Sequence, residues 1–314
     1  MLNNMSAVAV TRCNDYENLK SQIDRHFNYH GGVDNFFLRG EKVLIKPNLL
    51  APPQNSLEPV TTDARIIIAV AEFLIDHGVL VSVGDSPGFS TVDVILEKIG
   101  ARKKLQEMGA KIIEFDRPIK RLKSLSIDRA IFEHDKLFNL PKMKVHMQMQ
   151  YTLCVKNMFG CVSGKRKPLL HMLLGKDEDE FSEMLLRHYE SVRPAFTLMD
   201  GIIAMGRKGP RGGVEKKIGL LFSGSDCVAI DSVIVKALGL STEEYPILRA
   251  AKKLGIGEWR EDKIQILGAD SVPEIPLAGI PQSSLYFYFF RVVKSVVKHY
   301  RLKRLAKRKK KNAG

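Results

Sequence analysis

The sequence predicts an α/β fold, a mainly parallel sheet with helices on both faces, either as one large domain or as two interleaved α/β lobes. Three observations predict it. Short β-branched runs alternate with helical stripes through most of the 314 residues. The strand-like runs are nearly continuous in apolar residues, as expected of strands covered on both faces. A composition of 45% hydrophobic and 27% charged residues suits a chain that buries a sizeable core.

Ala7–Val10 and Lys42–Ile45 read as the first strands. A polar, proline-containing stretch, Ala51–Pro59, follows Pro47-Asn48 and reads as a loop. Thr61-Thr62-Asp63 then offers a helix N-cap followed by an acidic first-turn residue, and Ile66, Val70, Ala71, Phe73 and Leu74 form one helical stripe that Gly78 ends. Val79–Val83 is the next strand, so this strand–helix–strand unit implies parallel pairing with a right-handed crossover. A helix over Val92–Met108 and a strand over Lys111–Phe115 come next. Further strands are expected at Leu137–Leu140, Phe196–Met199, Ile218–Phe222 and Lys263–Leu267, with helices at Glu180–Tyr189, Cys227–Leu238 and Pro246–Leu254. Residues 1–272 form the α/β body, and Pro273–Pro281 with the serines after it reads as a linker, 273–284, into a tail.

Charge is distributed unevenly. Eleven of the surplus positive charges behind the formal +14 lie in residues 285–314, which hold no acid, so the body is close to neutral. Phe289, Val292, Val293, Val296, Val297 and Tyr300 follow a helical spacing, with Arg291, Lys294, Lys298 and Arg301 on the other side. Five aromatics crowd Leu285–Phe290 just before them. Such a basic amphipathic segment suits an anionic membrane surface. The same stripe could dock on the protein's own body, and the charge alone would also attract nucleic acid, the weaker expectation. No run reaches the length of a membrane-spanning helix and no secretory signal stands at the start, so a cytoplasmic protein, peripheral at the membrane, is expected.

In open parallel sheets, ligands bind beyond the carboxyl ends of the strands. Those ends carry Lys46-Pro47-Asn48, Gly84-Asp85-Ser86-Pro87-Gly88, Pro141-Lys142-Met143-Lys144-Val145-His146 and Asp200-Gly201. Lys156-Asn157 and a carboxylate inside an apolar helix, Asp231, add to them. The residue types suit a small anionic ligand, a carboxylate or phosphate. Lys46, Asn48, Ser86, Lys142 and Asn157 would bind it, and His146, Lys144 and Lys156 would carry the chemistry. Asp85, Asp200 and Asp231 are the candidate ligands for a divalent metal, and Gly206–Gly213 is a basic loop able to cradle an anion. Each of these residues also has an ordinary reading, as a loop lysine, a helix cap or a structural histidine. No G-x-G-x-x-G follows a strand, no H-E-x-x-H is present, and Cys13, Cys154, Cys161 and Cys227 have no cluster-binding spacing.

The ordered set Leu44–Asn48, Thr61-Thr62, Gly84–Gly88, Leu140–His146, Val155–Gly160, Asp200-Gly201, Gly209-Pro210 with Gly213, and Ser225–Asp231 resembles the domain-of-unknown-function family 362. The resemblance runs from about residue 40 to 258. It implies that the motif lysines, Asn48, Asp85, His146, Asn157, Asp200 and Asp231 belong to one site. Many family members carry an attached ferredoxin-type segment. Here no C-x-x-C-x-x-C run exists, and the aromatic, basic tail stands where such a segment would follow, so an iron–sulfur cofactor is not expected.

Overall fold

In the computed structural model, residues 5–55, 58–88, 90–122, 125–163, 177–207 and 209–278 are described. The basic tail, the expected linker beyond 278 and residues 164–176 lie outside the described residues.

Ten strands of the described residues form one sheet, and β5 (Pro118–Leu122) with β6 (Leu125–Asp128) forms a separate antiparallel pair. The main path of the sheet is β12 (Ile264–Leu267), β1 (Ser6–Arg12), β11 (Val214–Gly224), β10 (Phe196–Gly206), β7 (Lys136–Leu140), β2 (Lys42–Pro47), β3 (Leu80–Asp85) and β4 (Lys111–Glu114). All neighbours on this path pair in parallel except β11, which is antiparallel to both β1 and β10. Seven of the eight strands therefore run the same way. The carboxyl ends of β1, β2, β3 and β7 share one edge, and β10 runs on beyond it, carrying β8 (Lys142–His146). Pro141 separates β7 from β8, and β8 also pairs with β9 (Gln150–Thr152).

Helices cover both faces, as the apolar strands require. On one face lie α1 (Leu19–Tyr29), α2 (Ala64–Asp76), α3 (Val92–Lys98) and α4 (Arg102–Glu107), packed on Val43, Ile45, Val81 and Val83. Phe27 stacks on Phe73 and Phe196 there, with centroids 5.3 and 4.5 Å apart. On the other face lie α5 (Ala130–Glu133), α6 (Cys154–Met158), α7 (Glu178–Ser191), α8 (Cys227–Ala237) and α9 (Pro246–Leu254). Helices of the N-terminal part thus cover one face, and those after residue 129 cover the other.

Three differences from the sequence reading have local causes. The helix expected over Val92–Met108 is two helices, because Gly100 takes a left-handed φ of 77° between them. The strands expected at Phe196–Met199 and Ile218–Phe222 are eleven residues each and pair as a long hairpin. The outer half of β10, Ile203–Gly206, is apolar and mostly buried, whereas its partner Val214–Lys217 is polar and exposed and is held by the pairing. Residues 273–278 are packed, not a free linker: Ile275 N–H donates to the Ala237 carbonyl at 2.7 Å, and Leu277 is buried. No helix among the described residues is long and apolar enough to cross a membrane.

Candidate functional site

Strand β2 aims Lys46 at the carboxyl edge, where its Nζ lies 2.9 Å from Asp85 Oδ1 and donates to the Pro47 carbonyl at 2.9 Å. Asp85 closes β3 and accepts the N–H groups of Ser86 and Leu49, each at 2.8 Å. Gly160 crosses directly above this pair. A Cβ there would collide with Lys46 Cε and Nζ and with Asp85 Oδ1, so only glycine lets the α6 end lie so close.

Three amides link the elements. Asn48 Nδ2 donates to Asn157 Oδ1 at 3.0 Å, and Asn157 Nδ2 donates to Asn139 Oδ1 at 2.8 Å. Thr62 adds a clasp, accepting from Asn48 N–H at 2.9 Å and donating to the Leu140 carbonyl at 2.7 Å.

Along β8, Lys142, Lys144 and His146 share one side while Met143 and Val145 enter the core. Lys144 Nζ donates to Asn48 Oδ1 at 2.7 Å and to the Val60 carbonyl at 2.9 Å. Both acceptors are neutral. Burial first, then the nearby Lys156 ammonium, pull the Lys144 pKa down to about 7; Asp85 opposes this, and Lys46 and Lys142 add to it. Lys156, on α6, is buried with its ammonium 5.7 Å from the Phe181 ring centre.

Lys142 Nζ lies 2.8 Å from Asp200 Oδ2 and donates to the Tyr16 hydroxyl at 2.9 Å. Tyr16 in turn donates to Asp200 Oδ1 at 2.8 Å. The Arg65 guanidinium stacks 4.2 Å over the Tyr16 ring. Burial and the Asp200 and Asp63 charges push the Tyr16 phenol well above its ordinary value. This group joins the carboxyl ends of β1 and β7–β8 to the middle of β10.

The structure thus brings together Lys46, Asn48, Asp85, Ser86, Lys142, Lys144, Lys156, Asn157 and Asp200 at one edge. His146 follows two residues after Lys144, but its Nδ1 accepts the N–H groups of Gln148 and Met149 at 3.2 and 3.3 Å. That nitrogen is committed to the turn. Asp231 is placed apart. Its two oxygens accept the Cys154 and Val155 N–H groups at 2.7 and 3.1 Å, capping α6 from below. Burial raises its pKa to about 7 even though these two amides lower it.

The three carboxylates expected to converge on a metal do not. Asp85 faces Lys46, Asp200 faces Lys142 and Tyr16, and Asp231 faces backbone amides. Among the described residues no three His, Cys, Asp or Glu side chains are grouped to hold a metal ion. In the basic loop, Gly212 N–H already meets an anion of the protein itself, Glu58 Oε1 at 2.7 Å. The four cysteines are buried free thiols.

Sequence reasoning missed Tyr16 and Asn139, and it read Gly160 only as the end of a motif. Asn139 carried a signal, as a lone amide inside an apolar strand. Tyr16 carried none, since its contact with Asp200 spans 184 positions of chain.

Fold and site together define an α/β protein with a closed, lysine-rich polar cluster at the carboxyl edge of its sheet. The chain belongs to the DUF362 family, described as a domain of unknown function, whose model matches residues 43–236. A thylakoid-associated protein of Synechocystis sp. is 33% identical over 259 residues, which cover 80% of each chain. Among solved structures, the lactate racemase apoprotein of Thermoanaerobacterium thermosaccharolyticum aligns over 72% of this chain and 55% of its own, at 10% identity and a TM-score of 0.43. A structural-genomics protein of Thermotoga maritima aligns over 66% and 55%, at 10% identity and a TM-score of 0.41. The chain spans about half the length of these two solved chains.

Proposed function

We propose that the lysine cluster is the active site of an enzyme that carries out an acid–base step on a small anionic substrate, a carboxylate or phosphate. One observation carries this reading: Lys144 is buried among Lys46, Lys142 and Lys156 with its ammonium on neutral acceptors, and its pKa falls to about 7. A lysine so placed is present as free amine and ammonium in comparable amounts near neutrality, the condition for proton transfer in either direction. Lys46 and Lys142 stand beside it as ion pairs with Asp85 and Asp200, so with Lys156 the four lysines outnumber the two carboxylates and leave a net positive charge for the anion. Asn48 and Asn157 orient the ammonium groups, and Tyr16 with Asp200 holds Lys142.

The test uses the full chain and a panel of inorganic phosphate, pyrophosphate and small dicarboxylates, followed by calorimetry. An anion entering the cluster exchanges neutral acceptors for a charged one, so it raises the Lys144 pKa and binding takes up a proton near pH 8. Lys144→Met should weaken binding at least tenfold and remove that uptake. Equal binding and equal uptake in the variant would sink the assignment.

A second reading has its own support in the thylakoid-associated relative and the basic segment 285–314. Here the protein works at an anionic membrane surface and holds a cofactor or headgroup without turnover. Replacing Lys307, Arg308, Lys309, Lys310 and Lys311 by Gln should reduce pelleting with anionic vesicles. Unchanged pelleting would remove this support.

A further inference from the structure

We propose that the outer half of the β10–β11 hairpin is a docking surface for an anionic membrane, acting beside the C-terminal segment. The inference rests on the membrane-surface reading above and assigns it a face of the folded body. Strand β1 covers β11 only from Leu220 to Ser223, while β10 and β11 stay paired out to Gly206 and Val214. Val214–Lys217 is therefore an edge strand beyond the reach of β1, and it is exposed.

Charge and apolar surface coincide on this edge. Residues 207–217 contain Arg207, Lys208, Arg211, Lys216 and Lys217 against the single acid Glu215, on a body that is otherwise close to neutral. Arg207, Arg211 and Lys216 are exposed. Val214 stands among them 48% exposed, and strand alternation puts it on the same side as Lys216. An exposed branched apolar residue on a cation-rich edge suits a headgroup layer, where the cations meet lipid phosphates and the apolar side chain meets the acyl boundary.

The last described residues lie at this side too. A Cβ on Gly206 would lie 3.4 Å from Leu277 Cδ1 and 4.0 Å from Lys216 Cβ, and Tyr151 holds the Leu277 carbonyl at 2.8 Å. The aromatic, basic segment begins at Leu285, eight residues on, within about 27 Å even if fully extended. Edge and segment can thus reach one plane. Membrane contact there brings the rim of the lysine cluster to the bilayer, because Met205 of the same hairpin is the register partner of Lys144. Nucleic acid fits less well: positions 206–217 contain no aromatic side chain on which a base could stack.

The experiment measures partition of the full chain onto phosphatidylcholine vesicles with and without about 30% phosphatidylglycerol, at low and high salt. The variant Arg207→Gln/Arg211→Gln/Lys216→Gln should bind the anionic vesicles about a hundred-fold more weakly, at about five-fold per cation. All three side chains are exposed, and an unchanged circular dichroism spectrum verifies the fold. An environment-sensitive dye on Val214→Cys should shift to the blue with anionic vesicles only, the four native cysteines being buried. Wild-type partition in the triple variant, or a dye that does not respond, overturns the inference. If the tail-neutralised chain alone loses binding, the tail reading stands and the hairpin assignment falls. If wild type binds neither vesicle, both fall. Tight, salt-sensitive binding of RNA or DNA that the hairpin substitutions abolish, without vesicle binding, also overturns it.

Discussion

Replacing Lys144 by Met removes an ammonium that folding forces toward neutrality, and the effect has a signature in pH. The folded pKa is about 7 against an ordinary 10.5. Between those values the unfolded chain holds a proton at this site and the folded chain does not. Stability of the wild type therefore rises with pH across that window, by about 1.4 kcal/mol per pH unit, and by about 5 kcal/mol over the whole of it. Below pH 7 the full penalty of burying the charge is present. The Met variant lacks this titration. It carries instead a constant loss of about 1–3 kcal/mol for each acceptor left unpaired, Asn48 Oδ1 and the Val60 carbonyl. Other groups titrate alike in both chains and cancel in the difference. Urea unfolding followed by circular dichroism, at half-unit steps from pH 7 to 9.5, measures that difference directly. Wild type should gain on the variant by about 1.4 kcal/mol per pH unit. Two parallel stability curves would show that Lys144 is ordinarily protonated in the fold and would refute the acid–base assignment.

Asp231→Asn tests the opposite sign. The carboxyl is raised from 3.8 to about 7, so wild type should lose about 1.4 kcal/mol per pH unit relative to the variant between roughly pH 4 and 7, with no further divergence above. The same urea series extended to acid pH measures it, and a flat difference refutes the buried titration. Tyr16→Phe strips a donor from Asp200 and an acceptor from Lys142, and should lower stability by about 1–3 kcal/mol in chemical denaturation. Gly160→Ala forces a methyl into Lys46 and Asp85 and should lower stability by about 1–3 kcal/mol together with a loss of phosphate or dicarboxylate binding. An alanine variant that melts and binds like wild type would mean that the α6 end has room to spare.

The alternation of apolar runs and helical stripes was enough to read the parallel core, because strands buried on both faces leave little freedom in their composition. It read β2, β3 and β7 within two residues and started α2 at Thr61-Thr62-Asp63, but Asp63, expected as an acid in the first turn, is itself the cap. Local pattern failed where tertiary pairing decides. The outer hairpin strand Val214–Lys217 is polar and exposed, β8 follows Pro141 into a strand of lysines, and α1 was not read although Ile23 and Phe27 are fully covered.

The lysines, Asn48, Asp85, Asn157 and Asp200 were legible because chain order places them in turns after strands, and a parallel sheet gathers such turns at one edge. Their partners were not legible. Whether Asp200 meets a metal or Lys142, and whether Asp231 faces a site or caps α6, depends on side-chain directions set by packing between residues far apart in sequence. The sequence by itself determined the fold class and the address of the site. Only the tertiary structure decided the charge states within it, because burial and neighbouring cations, not residue type, make Lys144 a group that titrates near neutrality.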